Sequence, residues 1–264
     1  MSAAHELARA LWRARTGGGI IARADADDIQ SVAAAYDVQR RVVALAGLQR
    51  AGWKVGATSE AAQRLLAVAE PATAPMFAAD CHKSPAEIAV FDGHGTSVEC
   101  ELAFRFSVAL PPRKQSYGRD EVLAAVGAVL PAIEVVGCRF EGGFPGLGSA
   151  RLIADLVANT AWVRGSERAD WRRFNLKRHA VRLIRAGTTI AEGVGANALG
   201  DPLRVLEWTA NHLSALGDGI AAGEVISTGT LTGVTVVKPG DRMLADFGEL
   251  GRVEARFVAA RSET

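Results

Sequence analysis

Glu99 and Glu101 stand two residues apart in Ser97-Val-Glu-Cys-Glu-Leu-Ala-Phe-Arg-Phe106, a stretch in which side-chain character alternates. On an extended strand Val98, Cys100, Leu102, Phe104 and Phe106 fall on one face, and Glu99, Glu101, Ala103 and Arg105 on the other. The two carboxylates then project the same way, about 7 Å apart at their Cα atoms. In water their repulsion is modest; in a pocket one of them must take up a proton unless a cation lies between them. Hard oxygen donors suit Mg²⁺, Mn²⁺ or Ca²⁺ and disfavour zinc. The plain alternative is the solvated outer face of an antiparallel strand, the ordinary place for carboxylates. Glu134 weighs against it, because Val129-Leu-Pro-Ala-Ile-Glu-Val-Val136 reads as buried, and an ionised carboxylate there needs a cation. Pairing with Arg105 or Arg139 would make Glu134 structural; a metal shared with Glu99 and Glu101 would make it part of a site.

Two further polar residues stand in unusual settings. Lys54, in Gly52-Trp-Lys-Val-Gly-Ala-Thr-Ser59, is flanked by glycines and apolar residues. It reads either as an acid/base group of lowered pKa, with the glycines admitting a ligand, or as a surface residue beside a turn. Asp80 ends Met76-Phe-Ala-Ala-Asp80 and reads as a base or as a turn cap. Other patterns carry less. Gly193-Val-Gly-Ala-Asn-Ala198 matches a dinucleotide-loop pattern, but Gly200 and Pro202 interrupt any helix opening there and no βαβ unit surrounds it. The basic stretch 164–185, with Trp171 and Phe174 interleaved, contains Glu167 and Asp170 and reads as a solvated face. The histidines lack paired-ligand spacing. Cys81, Cys100 and Cys138 are odd in number and form no C-x-x-C, as expected of reduced thiols in a cytoplasmic protein.

The elements that must hold these residues follow from periodicity. Val32, Ala35, Val38, Val42 and Leu45 recur at helical steps within 28–47, and Gly47 marks the stop. Segments 97–107 and 128–138 read as strands. Asp201-Pro202 opens a helix over 203–216, and Gly217 closes it. Beyond residue 224, short branched runs alternate with the turns KPGD and GELG, which predicts a β region. Helices and strands do not alternate as in a βαβ chain. We therefore expect one α+β domain over 1–264, mainly helical in 1–80 and β-rich in 88–264. The 264 residues carry 30 Lys+Arg against 29 Asp+Glu, a net charge of +1, which gives no electrostatic reason to bind nucleic acid or an anionic membrane. No apolar run approaches the ~20 residues of a spanning helix. Glu6, Arg9 and Arg13 interrupt any signal-peptide core.

In order and spacing these motifs resemble the 2-keto-4-pentenoate hydratase branch of the fumarylacetoacetate hydrolase superfamily, which also holds the 4-oxalocrotonate decarboxylases. The resemblance runs through Ala35-Tyr-Asp-Val-Gln39, Lys54-Val-Gly-Ala-Thr-Ser59, Met76–Asp80, Val98–Phe104, Pro131-Ala-Ile-Glu134 and Gly200-Asp-Pro202. It continues through Thr228-Gly-Thr-Leu-Thr232, Val237–Asp241 and Ala245-Asp-Phe-Gly248. It implies a mixed β-roll with peripheral helices, Mg²⁺ or Mn²⁺ held by Glu99, Glu101 and Glu134, and a homo-oligomer. It further implies a small 2-hydroxy-2,4-dienoate or its 2-keto tautomer as substrate, with Lys54 and Asp80 transferring protons and Thr58 and Thr230 orienting the substrate carboxylate. The implied reaction is hydration; decarboxylation of a 2-keto-enedioate and a catalytically silent partner subunit are the alternatives. The chain departs from the family at Cys100, where proline usually separates the two glutamates. It departs again at Ala158-Asn159-Thr160, where the family commonly has Ala-Asp-Asn.

Overall fold

The computed structural model describes residues 2–261. In chain order the elements are α1 (Ala3–Gly17), α2 (Val32–Ala46), β1 (Arg50–Gly56), α3 (Glu60–Leu66), β2 (Ala72–Phe77), β3 (Cys81–Lys83), β4 (Ala86–Val90) and β5 (Ser97–Phe106). There follow α4 (Arg119–Ala125), β6 (Val126–Val136), α5 (Ser149–Ala154), β7 (Asn159–Arg164), β8 (Ala180–Arg185) and β9 (Thr188–Val194). The chain ends with α6 (Pro202–Ala215), β10 (Val225–Thr230), β11 (Thr235–Val236), β12 (Arg242–Asp246) and β13 (Arg252–Ala259).

The strands form two sheets. The larger runs β2-β1-β10-β5-β6-β7-β3, with β11 added alongside β5; the smaller runs β4-β13-β12-β8-β9. Most pairs are antiparallel, but β1 joins β10, β3 joins β7 and β4 joins β13 in parallel, which makes this a mixed β-roll with peripheral helices, as expected. The strands β1 and β2, which the sequence periodicity left inside a helical portion, are built into the main sheet beside β10. The basic stretch 164–185, read as a solvated face, contributes β8, whose Val181 and Leu183 are buried on either side of exposed Arg182. The arginines around these two residues masked a strand with one wet face.

Side-chain alternation sorts the main sheet into two faces. Val98, Cys100, Leu102, Phe104 and Phe106 of β5, Ile133 and Val135 of β6, and Trp53 and Val55 of β1 share one core with the smaller sheet and α6. The intervening residues, Lys54, Glu99, Glu101 and Glu134 among them, therefore lie on the opposite face. There a second core gathers α1, α2 and α5 around Phe77, Val136 and Phe140. Ser31 caps α2 by accepting from Ala34 N, and Asp201 caps α6 by accepting from Leu203 N, so both helices begin where their polar residues dictate.

Candidate metal centre

The register of four adjacent strands assembles the site. Glu99 of β5 lies directly opposite Glu134 of β6, and Lys54 of β1 lies opposite Ser227 of β10. One carboxylate oxygen from each of Glu99, Glu101 and Glu134 falls within 4.8 Å of the others. Glu101 and Glu134 have no solvent exposure, so the solvated-face reading of Glu-x-Glu does not hold.

Each buried carboxylate has one oxygen committed to the protein and one left over. Glu101 Oε2 accepts from Ser227 Oγ and from the Gly229 amide, the latter at 3.1 Å. That amide is turned inward by an irregularity in the β5–β10 pairing between Ser227 and Thr230. Trp162 Nε1 donates to Ser227 Oγ at 3.1 Å and fixes the hydroxyl from behind. Glu134 Oε1 is 3.0 Å from Lys54 Nζ and accepts from Asn159 Nδ2 at 3.1 Å. Glu101 Oε1 and Glu134 Oε2 are buried without any partner. Orphaned carboxylate oxygens are costly in a protein interior. Two of them beside a third carboxylate form the donor set of a hard divalent cation such as Mg²⁺ or Mn²⁺, and the residues present fit that group.

Electrostatics agrees. Burial, opposed by Lys54 and reinforced by Glu134, pushes the Glu99 carboxyl up to about 7. Burial, with Glu134 and Glu99 nearby, holds Glu101 well above the usual carboxylate range. Three acids against one lysine leave an excess of negative charge that a dication cancels. For Lys54 the expected lowering is reversed. Burial alone depresses it, but Glu134, Glu99 and Glu101 outweigh burial and raise it. Neither Arg105 nor Arg139 partners Glu134: Arg105 pairs with Glu167 at 2.8 Å, and Arg139 with Asp155 at 2.6 Å.

The glycines around Lys54 admit protein rather than ligand. A Cβ on Gly52 would lie 2.0 Å from Val225 O, and one on Gly56 would lie 2.4 Å from Val157 Cγ1. Val157 belongs to a feature invisible in the sequence. Leu156, Val157 and Ala158 have φ of 52°, 50° and 60°, three consecutive non-glycine residues in the left-handed region. Each costs about 1–2 kcal/mol, and a β-branched residue is least at home there. The turn points the Val157 carbonyl at Lys54 Nζ, 2.9 Å away, and delivers Asn159 to Glu134. In the sequence Asn159 stands out only as a departure from a family pattern. A carboxylate in its place would face Glu134, whereas the amide donates to it.

Lys54, Glu99, Thr58 and Thr230 all line one cavity of about 190 Å³. Thr58 is buried and its hydroxyl has no partner, while Thr230 Oγ1 donates to Gly233 O at 3.0 Å. Asp80 is not brought to that cavity. It pairs with Arg15 of α1 at 2.6 Å, and Arg15 donates in turn to the backbone carbonyls of Asn159 and Thr160. Its connection to the centre runs through that arginine.

Residues 60–258 match the family model described as fumarylacetoacetate (FAA) hydrolase C-terminal. The chain belongs to this family. Among its relatives is the 2-keto-4-pentenoate hydratase of Paraburkholderia xenovorans (strain LB400), 32% identical over 233 residues, covering 88% of this chain and 83% of that one. The 4-oxalocrotonate decarboxylase of Pseudomonas sp. (strain CF600) is 30% identical over 227 residues, covering 85% of this chain and 84% of the relative. The structure of 4-oxalocrotonate decarboxylase from Pseudomonas putida G7, complexed with magnesium and adipate, superposes with a TM-score of 0.86 at 26% identity over 97% of both chains. Family membership thus accounts for the fold, and it leaves two activities among relatives of similar identity. Among the described residues no helix is long and apolar enough to cross a membrane.

Proposed function

We propose that this member of the family hydrates a small 2-hydroxy-2,4-dienoate to a 4-hydroxy-2-oxo acid. The observation that carries the reading is the make-up of the cavity. Lys54 is the only cation lining it among the described residues, and it is already engaged with Glu134. A 2-keto-enedioate carries a second carboxylate, and no cation stands ready for it; a monoacid raises no such demand.

Glu99, Glu101 and Glu134 hold Mg²⁺ or Mn²⁺ in this reading. The bound ion supplies Lewis acidity toward the carboxylate and 2-oxygen of the substrate. Thr58 Oγ, buried and free, donates to the substrate carboxylate, with Thr230 beside it. Two of the three Lys54 protons are taken by Val157 O and Glu134 Oε1, and the third serves the substrate. Lys54 delivers a proton to C5 as the 2-hydroxyl gives up its own to water, from which Lys54 is reprotonated, and a double bond is left between C3 and C4. Water then adds its oxygen at C4 and a proton at C3. We place the reaction in the cytoplasm, in keeping with three free cysteines, and in a homo-oligomer, as the family resemblance implies.

The second reading, decarboxylation, draws support from the closeness of fold to the Pseudomonas putida G7 decarboxylase. Purified protein with Mg²⁺ decides between them. Hydration predicts conversion of 2-hydroxypenta-2,4-dienoate to 4-hydroxy-2-oxopentanoate, seen as loss of diene absorbance without CO₂. Release of CO₂ from 2-oxohex-3-enedioate, with the pentadienoate untouched, selects decarboxylation; inertness toward both selects the silent-partner reading.

A further inference from the structure

We infer that the cavity carries a dedicated apolar subsite for the far end of the substrate, so that the preferred ligand is a 2-oxo or 2-hydroxydienoic acid with an uncharged hydrocarbon substituent. The inference rests on the proposed function for the polar end of the ligand and on the cavity wall for the other. Away from Lys54, Glu99, Ser59 and the two threonines, the side chains of the wall are carbon, among them Ala61, Leu65 and Leu66 of α3 with Phe144, Leu152 and Val234.

The short helix α3 shows how the sequence builds this wall. Ala61, Ala62, Leu65 and Leu66 share its inner side, while Glu60 and Arg64 pair with each other at 3.3 Å on the outside, 89% and 73% exposed. The arginine nearest in sequence to the subsite is thus turned to solvent and neutralised there. Leu65 and Val234 line the cavity yet remain 42% and 50% exposed. They are large apolar side chains that a bound hydrocarbon group covers, and that a charged group would desolvate to no advantage. The subsite adjoins the acidic cluster through Glu99, which lines the same cavity, so a 2-oxo acid held by the cluster can extend its hydrocarbon end along this wall.

Unreactive saturated 2-oxo acids test the subsite apart from the chemistry. Titrated calorimetrically into the Mg²⁺-supplemented protein, 2-oxooctanoate should bind at least about tenfold more tightly than 2-oxopentanoate, since each added methylene finds an apolar contact. The dicarboxylate 2-oxohexanedioate should bind more weakly than 2-oxooctanoate. Leu65→Arg, at a half-exposed position that accepts a long side chain, should reverse the order of those last two ligands. The inference is overturned by equal affinities along the chain-length series, as when a second copy of the chain covers Leu65 and Val234. Tightest binding of the dicarboxylate by the unaltered protein, or no binding of any 2-oxo acid, overturns it equally. Failure of the hydration reading is seen separately: the affinity order then holds while 2-hydroxypenta-2,4-dienoate is not consumed.

Discussion

Two clusters of buried charge meet at Asn159, and they are built on opposite terms. Its side-chain amide serves Glu134, while its backbone carbonyl accepts from Arg139 at 3.3 Å. On the Arg139 side charge is balanced and every group is used. Arg139 Nε meets Asp155 Oδ1 at 2.6 Å, its Nη1 donates to Thr160 Oγ1 at 3.1 Å, and its Nη2 donates to Asp155 O at 2.8 Å. On the Glu134 side three acids share one lysine, and Glu101 Oε1 and Glu134 Oε2 have no partner. Both clusters are buried, so burial alone does not distinguish a site from a brace. The imbalance does: a satisfied pair holds two elements together, whereas uncancelled charge with orphaned oxygens is a place kept for a ligand.

If that contrast is right, the two sides must respond differently to loss of a charge. Glu101→Gln should eliminate nearly all Mg²⁺-dependent turnover and leave the thermal midpoint of the metal-free protein intact. Wild-type activity of this variant in EDTA would erase the distinction. Asp155→Ala should do the reverse, stranding a buried arginine at a cost of about 3–5 kcal/mol in denaturant unfolding. A loss below about 1 kcal/mol would show that the Arg139 cluster is not a brace. Lys54→Met, measured with Mg²⁺ present, should lower kcat by ~10²-fold or more, as for a lost general acid. Normal kcat in a destabilised protein would move Lys54 to the structural side.

The smallest effect sharpens the contrast at a neutral group. His212 of α6 stacks on Trp208, its Nε2 lies 2.9 Å from the Tyr36 hydroxyl, and burial lowers its pKa from 6.5 to about 4. The folded form thus resists protonation where the unfolded chain accepts it. Its contribution is complete above pH 6.5 and is lost as the pH falls toward 4. Thermal midpoints should decline through that window, and His212→Gln should flatten part of the decline, His94 retaining its own share because burial lowers it to about 4 as well. An unchanged pH profile in the variant would contradict this.

Much of the centre was legible in the sequence. Alternation along 97–106 put Glu99 and Glu101 on one face, the apolar run around Glu134 announced a buried acid, and Lys54 stood out among glycines. The rest was not, for identifiable reasons. The glycines at 52 and 56 signal close approach without saying of what, and the approach is that of Val225 and Val157. A left-handed turn made of leucine, valine and alanine has no sequence signature, because those residues reach it only under tertiary constraint. Partners of charges far apart in the chain, Asp80 with Arg15 and Arg139 with Asp155, are fixed by the packing of helix α1 and by that same turn.

Titration of Mn²⁺ into metal-free protein asks whether the unbalanced cluster is a divalent-cation site. One ion should bind per chain, the thermal midpoint should rise with Mn²⁺ concentration as binding to the folded state requires, and both should be lost in the Glu101→Gln/Glu134→Gln double variant. Absence of uptake by the unaltered protein, or undiminished uptake by the double variant, would contradict it.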